Sequence, residues 1–230
     1  MNYNKWDIIY DEIVQDLGLD KGQDIRSAKL LEKKLLVYKH TKLVTVLKPF
    51  FYHQDIFIFG AGPSLEQTLL NNLNSIKKGN IIAADGATTA LIKNNIKPDI
   101  IITDLDGYLP DQITANKKGS IVVVHAHGDN IKTIKNTIPK FTGTLLGSTQ
   151  VNPADFKVLF NIGGFTDGDR AVYLADHFRA KTISLIGFDC QGPIGQYSFA
   201  EKKNKKRKKK KLKWCHQLIE KLNHKSIVYL

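Results

Sequence analysis

The chain has 230 residues with 34 Lys and Arg against 22 Asp and Glu, which gives a formal net charge of +12. This length suits one domain with at most a small extension, and 42% hydrophobic and 24% charged residues exclude general disorder. Two cysteines exclude a disulfide scaffold and a Cys-rich zinc site. There is neither a signal-peptide pattern nor an apolar run of the roughly 18 residues that span a bilayer, so we expect a cytoplasmic protein without a membrane partner.

The first 50 residues have a helical pattern. Apolar residues recur at three- and four-residue spacing over 4–17, which predicts an amphipathic helix, and a second helix is predicted over about 24–38. Pro49 marks a predicted boundary, since proline disfavours helix at the residue before it. We therefore predict an N-terminal helical extension, residues 1–50, followed by an α/β domain, residues 51–230.

From Asp55 onward, short apolar runs alternate with helical stretches. The runs are almost fully apolar, which is typical of parallel strands buried on both faces. The repeated order of strand and helix predicts a doubly wound, mostly parallel sheet with helices on both faces. Strands are predicted at 56–59, 81–84, 99–103, 121–124, 143–146, 182–186 and 226–229, and helices at 64–76, 87–95, 129–137, 166–179 and 205–222.

A glycine-rich loop, residues 60–64, follows the first predicted strand and opens a helix. Ligands of open α/β sheets bind at the carboxyl ends of the strands, and a glycine loop before a helix suits an anion. The loop matches neither a Walker A sequence nor a full GxGxxG motif. We predict phosphate contacts from Gly60, Gly62, Pro63 and Ser64, and the alternative is a tight turn without a ligand.

Two acids follow the third predicted strand. Asp104 and Asp106 are two residues apart, so on an extended chain their carboxylates point to the same side. Carboxylates placed in this way suit Mg²⁺, and Asp85, after the neighbouring strand, completes the predicted metal site. The alternative is a set of solvated turn acids.

Two histidines follow the fourth predicted strand. His125 and His127 share a side if the strand continues through them. Together with Asp129 they are candidates for a transition-metal site, but we favour a phosphate contact or polarisation of a leaving group. Packed, hydrogen-bonded histidines are the third option. We predict His127 and Asp129 as catalytic residues beside Asp104 and Asp106.

The stretch 163–170 leads into another helix. Thr166 or Asp167 can cap this helix, which places Arg170 in the first turn, where the helix dipole disfavours a cation. An anion near Arg170 resolves this conflict, either a bound phosphate or a neighbouring Asp. We predict Gly163, Gly164, Thr166 and Arg170 as phosphate-binding residues.

Most of the net charge lies in one lysine-rich segment, residues 202–213, with ten Lys or Arg and no acid. The segment contains no aromatic residue, so it is not typical of a nucleic-acid reader. We interpret it as a solvated periphery of the protein. Contact with RNA or an acidic partner, and steering of a polyanionic substrate, remain as alternatives.

The motifs GAGPSL, ADGA, TDLDG, HAHGDN, GGFTDGDRA and IGFD, in this order and spacing, resemble the MptE-like 6-hydroxymethylpterin diphosphokinases of archaea over about residues 55–222. The resemblance implies Mg²⁺-dependent transfer of diphosphate from ATP to 6-hydroxymethyl-7,8-dihydropterin, with release of AMP, in methanopterin or folate-type cofactor synthesis. It implies that Asp104 and Asp106 hold Mg²⁺, that residues 60–64 and Arg170 bind phosphate, and that Asp85, His127 or Asp129 orients the hydroxyl group or a further metal.

Three other functions stay open at this stage. The order of ADG and DLD also resembles thiamine pyrophosphokinase, and Asp104-Leu105-Asp106 suits the metal site of a glycosyltransferase that uses a nucleotide sugar. A non-enzymatic RNA-binding protein built around the lysine-rich segment is the third. No motif identifies the residues that contact the pterin, and the sequence leaves open whether the chain forms a homo-oligomer.

Overall fold

A computed structural model describes residues 3–198, 205–222, 224 and 226–230. Over these residues the chain forms one sheet of eight strands, and every neighbouring pair is parallel. The strands are β1 (Asp55–Phe59), β2 (Asn80–Ala84), β3 (Ile100–Thr103), β4 (Ile121–Ala126), β5 (Leu145–Thr149), β6 (Leu159–Phe160), β7 (Thr182–Ile186) and β8 (Ile227–Tyr229). The predicted α/β class with a parallel sheet is confirmed.

Ten α-helices lie in the same part of the chain. They are α1 (Tyr3–Leu17), α2 (Lys21–Leu36), α3 (Lys48–Phe51), α4 (Leu65–Asn71), α5 (Leu73–Ile76), α6 (Ala87–Lys93), α7 (Leu109–Lys117), α8 (Ile131–Thr137), α9 (Asp167–His177) and α10 (Lys205–Glu220). None of these described helices is long and apolar enough to cross a bilayer.

The apolar runs become strands because the sheet is covered on both faces. In β1, Phe57 and Phe59 lie in one hydrophobic core, and Ile56 and Ile58 lie in a second core on the opposite face. The alternation of side chains along a strand sends successive apolar residues to opposite faces, so both sets need an apolar partner. This pattern is the physical basis of the doubly wound arrangement.

The order of the strands is β6-β5-β4-β3-β2-β1-β7-β8. The chain moves outward from β1 to β6, then returns through α9 to place β7 on the other side of β1. The direction of winding therefore reverses between β1 and β7. Ligands of this architecture usually bind at the carboxyl edge of the sheet, near the point where the winding reverses.

The two N-terminal helices lie on opposite faces of the sheet. Tyr10 and Ile13 of α1 pack in the same core as α9 and α10, whereas Leu31 and Leu35 of α2 pack in the other core. Residues 18–20 connect these helices and line the cavity described below. The N-terminal segment therefore contributes to the site as well as to both cores. The division at residue 50 stays a prediction.

Some elements differ from the sequence prediction for identifiable reasons. The strand predicted at 143–146 begins at Leu145, because Asn116 holds the preceding loop by accepting from the N–H of Gly143 at 2.7 Å and donating to the carbonyl of Thr144 at 3.0 Å. The helix predicted over 64–76 is split into α4 and α5 at Asn72. Strand β6 and helix α7 were not predicted, since β6 has two residues and α7 a weakly amphipathic pattern.

Candidate active site

A cavity of about 280 Å³ opens at the carboxyl edge of the sheet and is lined by the loops after β1, β2, β3, β4 and β7. Nine of the thirteen predicted site residues line it, namely Gly60, Gly62, Asp85, Asp104, Asp106, His127, Asp129, Thr166 and Arg170. The other four, Pro63, Ser64, Gly163 and Gly164, do not line this cavity. The structure thus gathers residues from five loops and from the start of α9 around one space.

Asp85 is held by the backbone and by three hydrogen bonds. Its φ of +41° lies in the left-handed region, which is uncommon for a residue other than glycine and turns the chain sharply after β2. Oδ1 accepts from Thr103 Oγ1 at 2.6 Å, Gln112 Nε2 at 2.9 Å and the Gly107 N–H at 3.2 Å. A residue held in this way keeps its carboxylate in one orientation.

The group of three acids that could share one cation contains Asp167, which was not predicted as a metal ligand. One carboxylate oxygen each from Asp85, Asp104 and Asp167 lies within 4.8 Å of the others, which is close enough for one cation to touch all three. Among the residues that the structure describes, Asp106 does not belong to this group. It lies beside the group, within hydrogen-bonding reach of the carboxyl groups of Asp85 and Asp104.

The expectation that Asp104 and Asp106 share one side assumed an extended chain. The chain turns between them, but their carboxyl groups still lie within hydrogen-bonding reach of each other. Strand β3 ends at Thr103, and Leu105 takes a left-handed conformation with φ of +69°. The backbone therefore turns between the two acids, and the alternation rule for strands does not apply. Asp106 consequently lies at the solvent side of the acidic group.

Asp167 reaches the cavity because another residue caps its helix. Asp169 accepts from the N–H groups of Phe165 at 2.7 Å and Thr166 at 2.6 Å and from the hydroxyl of Thr166, which forms a capping box at the start of α9. Asp167 is therefore not needed for the cap, and its carboxylate lies near those of Asp85 and Asp104 while it pairs with Arg170. The sequence signal for this role of Asp167 was the Asp167-Gly168-Asp169 spacing, because the cap of the helix needs only one of the two acids.

The charges of this acidic group are strongly perturbed. Burial, and then the charges of Asp104 and Asp167, raises the pKa of Asp85 to about 6. Burial and the charge of Asp104 raise the pKa of Asp167 well above its ordinary value. Desolvation by the cavity wall and the charges of Asp104 and Asp85 also raise the pKa of Asp106, although it keeps solvent contact. Like charges at this spacing favour either a shared proton or a cation.

Asp104 is the member of the group that stays ionised. Burial alone would raise its pKa, but the hydrogen bond and charge of His127, together with the charge of Lys211, hold the pKa below its ordinary value. His127 Nε2 lies 3.0 Å from Asp104 Oδ2, and Nδ1 accepts from the Asp129 N–H at 3.4 Å. This pairing assigns the proton to Nε2. His127 therefore orients Asp104.

His125 is a buried, hydrogen-bonded residue, which is one of the three roles that the sequence analysis considered for it. Strand β4 extends through Ala126, so His125 lies in the sheet, where its Nδ1 is 3.0 Å from Ser148 Oγ. Burial and the charge of Arg170 lower its pKa well below the ordinary value, so the ring is neutral. Asp129 lies at the surface and pairs with Arg207 of α10 at 3.4 Å.

Arg170 is buried and bound by protein groups. Its guanidinium donates to Asp167 Oδ1 at 3.1 Å, to the Phe165 carbonyl at 3.0 Å and to the Gly164 carbonyl at 3.3 Å. Gly163 and Gly164 have φ of +99° and +87°, and a Cβ at Gly164 would lie 2.4 Å from the Cα of Arg170. Gly164 thus makes room for Arg170, and Gly163 makes room for Tyr173. The ion pair with Asp167 accounts for the place of Arg170 in the first turn of α9.

The glycine loop after β1 is also held by protein groups. Ser64 donates to Asp189 Oδ2 from its N–H at 3.0 Å and from its hydroxyl at 2.8 Å, and the Gly62 N–H donates to the Gly187 carbonyl at 2.9 Å. A Cβ at Gly62 would lie 2.1 Å from Asp189 Oδ2. Close approach of the loops after β1 and β7 therefore explains this glycine.

Sequence reasoning missed several residues of the cavity. Asp24 of α2 accepts from the hydroxyl of Tyr10 and from the Gly128 N–H at 2.7 Å, which ties the N-terminal helices to the loop after β4. Lys208 and Lys211 of α10 also line the cavity. The helical spacing of three residues could have placed these two lysines on one face, but nothing local indicates what that face would meet.

A family model described as "6-hydroxymethylpterin diphosphokinase MptE-like" matches residues 31–194. The chain belongs to this MptE-like family. It is 44% identical over 204 residues to a relative from Methanocaldococcus jannaschii, covering 86% of this chain and 84% of the relative. It is 38% identical over 224 residues to one from Pyrococcus furiosus, covering 96% and 94%, respectively.

A third relative, from Methanothermobacter thermautotrophicus, is 40% identical over 198 residues, covering 86% of this chain and 83% of the relative. All three archaeal relatives carry the name 6-hydroxymethyl-7,8-dihydropterin pyrophosphokinase. Among solved structures, a Maf glycosyltransferase from Magnetospirillum magneticum AMB-1 aligns with a TM-score of 0.48 and 18% identity, covering 75% of this chain and 28% of that chain. The MptE-like chain is thus matched along most of its length by relatives of one stated activity.

Proposed function

We propose that this MptE-like protein is a 6-hydroxymethyl-7,8-dihydropterin pyrophosphokinase, an enzyme that transfers diphosphate from ATP to the pterin and releases AMP. The observation that carries the proposal is identity of 38–44% to three relatives of that name, over at least 83% of their length. Neither thiamine pyrophosphokinase nor a glycosyltransferase has comparable support.

The reaction joins the hydroxymethyl oxygen of the pterin to the β-phosphorus of ATP and breaks the bond from that phosphorus to the oxygen shared with the α-phosphate. The hydroxyl proton leaves, and AMP carries away the electron pair of the broken bond. Such transfers depend on alignment and charge neutralisation more than on a protein nucleophile. The site accordingly contains charged groups in fixed positions around one cavity.

The donor set fits Mg²⁺. Asp85, Asp104 and Asp167 offer three carboxylate oxygens within 4.8 Å, and hard oxygen ligands are those that Mg²⁺ prefers. When bound, the ion would neutralise phosphate charge and polarise the β-phosphoryl group. The three acids come from the ends of β2 and β3 and the start of α9, so the sheet itself sets their separation.

The surrounding residues position these acids. Thr103, Gln112 and the Gly107 N–H orient Asp85, His127 orients Asp104, and Arg170 orients Asp167. Asp106 lies beside the group, lines the same cavity and stays a proposed catalytic residue. Gly60, Gly62 and Thr166 remain proposed phosphate contacts, since they line the same cavity.

The test is product analysis with purified protein, ATP and Mg²⁺. We expect AMP to form in equal amounts with the pterin diphosphate when the reduced pterin is supplied, and not when thiamine replaces it. Release of a nucleoside diphosphate from a nucleotide sugar would favour the glycosyltransferase. AMP formation with thiamine but not with the pterin would assign the other pyrophosphokinase activity.

Magnesium binding should depend on pH in a defined direction. The pKa of Asp85 is raised to about 6, so protons compete with the metal below that pH. Saturating MgCl₂ is expected to raise the melting temperature by several degrees at pH 8 and to have little effect at pH 5.

The stability of the metal-free protein should depend on pH in the opposite direction. Because the folded state binds a proton on Asp85 that the unfolded chain releases above its lower pKa, this group adds stability as pH falls through about 6. Asp85→Asn keeps an Oδ1 acceptor for Thr103 and Gln112 and serves as the control that loses the magnesium effect. An equal magnesium shift at both pH values would contradict the assignment.

A further inference from the structure

The lysine-rich helix α10 presents one face to the active-site cavity. Its residues at 207, 208, 211, 212 and 215 line the cavity, and this spacing of three and four residues describes a single helix face. Lys208 and Lys211 are half-buried, whereas Lys205, Lys209 and Lys213 are exposed. The basic segment is thus divided into a cavity face and a solvent face, and its interpretation as periphery is corrected only for the residues on the cavity face. Residues 202–204 lie outside the described part of the chain.

Two sets of contacts hold α10 in this orientation. Asp16 of α1 accepts from Lys210 Nζ at 2.6 Å and from Trp214 Nε1 at 3.0 Å, on the side facing α1. Arg207 pairs with Asp129 in the loop after β4. The positive charges of Lys210 and Arg207 are therefore paired with carboxylates of the protein. Among the described residues, neither Lys208 nor Lys211 forms an ion pair within 4.0 Å.

Both lysines lie near enough to act on the acidic group. The charge of Lys211 is one of the causes that lower the pKa of Asp104, and the charge of Lys208 opposes the rise in the pKa of Asp167. Lys211 Nζ also lies 5.8 Å from the ring centre of Phe165, which lines the same cavity. The cavity therefore has carboxylates at the sheet edge and ammonium groups on the wall formed by α10.

We propose that Lys208 and Lys211 bind the β- and γ-phosphates of ATP and, after transfer, the diphosphate carried by the product. The identity of this polyphosphate rests on the proposed function. ATP carries roughly four negative charges at neutral pH, because the last pKa of a terminal phosphate is near 6. The carboxylates offset the charge of any cation that they bind, so the two lysines are needed to supply positive charge to the phosphates.

The placement is informative because α10 begins beyond residue 194, where the family-model match ends. The acidic group and the glycine loops lie within the matched stretch, but the two ammonium groups do not. The polyphosphate site is therefore completed by a segment that the family pattern alone does not indicate. Lysine acts as a point charge toward phosphate, which suits a group that must release its product.

The experiment compares two double variants with the same change in net charge. Lys208→Ala/Lys211→Ala removes the cavity-facing pair, and Lys209→Ala/Lys213→Ala removes two exposed lysines of the same helix. Calorimetry with Mg²⁺ and no pterin measures the Kd for ATP, AMP and inorganic pyrophosphate. We expect the cavity-facing variant to bind ATP and pyrophosphate at least about tenfold more weakly, with AMP affinity within about twofold of wild type.

The control variant should bind all three ligands as the wild type does. Equal losses in the two variants would show that only net charge matters and would overturn the proposal, as would an equal loss for AMP and ATP. A matching circular dichroism spectrum and melting temperature exclude misfolding as the cause. If the wild type binds ATP but does not turn over the pterin, the proposed function fails while the lysine assignment is still tested by these affinities.

Discussion

Replacing Asp104 with asparagine is expected to lower the kcat of pterin pyrophosphorylation by at least about a thousandfold, or about 4 kcal/mol in the activation barrier. Asp104 is the one acid of the group whose pKa is held below its ordinary value, so it is ionised whenever the enzyme works. Asparagine keeps the shape but removes the charge that would attract a metal, and the charge is what neutralises the phosphates.

Two further measurements make this prediction specific. The melting temperature in EDTA should change little, because the substitution breaks the pair with His127 but also relieves repulsion with Asp85 and Asp167. Asp155→Asn, at an exposed position outside the cavity, is the matched control and should keep full activity. Near-normal turnover of Asp104→Asn at limiting Mg²⁺ would remove Asp104 from the catalytic group.

Most of the fold was predictable because burial on both faces leaves a strong pattern. The run Ile56–Phe59 has no polar interruption, and its neighbours along the chain share this feature. The first and last residues of strands were less predictable where a side chain from a distant part of the sequence binds the adjoining loop. Strand β5 begins at Leu145 because Asn116 binds the residues before it, and that contact spans nearly thirty residues of sequence.

The location of the candidate site was predictable, but the group of three acids that could share one cation was not. Strand ends loaded with Asp and His indicated the correct edge of the sheet, since parallel strands bring their carboxyl ends together. The choice between Asp106 and Asp167 depended on the left-handed turn at Leu105 and on the capping box of Asp169. Both are decided by backbone geometry that spacing alone does not reveal.

The segments on either side of the family match, residues 31–194, bring further charged side chains to the cavity. Asp24 lines the cavity because α1 and α2 cover opposite faces of the sheet and their connection passes its carboxyl edge. Lys208 and Lys211 arrive because α10 packs against α1 through Asp16. A charge run read in isolation is most simply a solvated surface, and only the packing of α10 gives two of its lysines another role.

Arg170→Lys is expected to lower stability and activity together. The sequence favoured a phosphate contact for Arg170, which would raise the KM for ATP with stability nearly unchanged. The structure instead shows a side chain only 4% exposed, whose guanidinium reaches Asp167 and two backbone carbonyls. One ammonium group cannot reproduce this planar set of donors.

The expected loss of stability is about 2–3 kcal/mol, since hydrogen bonds from a buried charged group contribute about 1.5–3 kcal/mol and Lys retains part of the ion pair. Urea denaturation should show a lower midpoint with an unchanged slope. Activity should fall because Asp167 loses the donor that orients it toward Asp104. Lys181→Ala, which removes an exposed ion pair with Asp55, is the control and should change stability by less than about 1 kcal/mol. Wild-type stability combined with a raised KM for ATP would restore the phosphate contact as the role of Arg170.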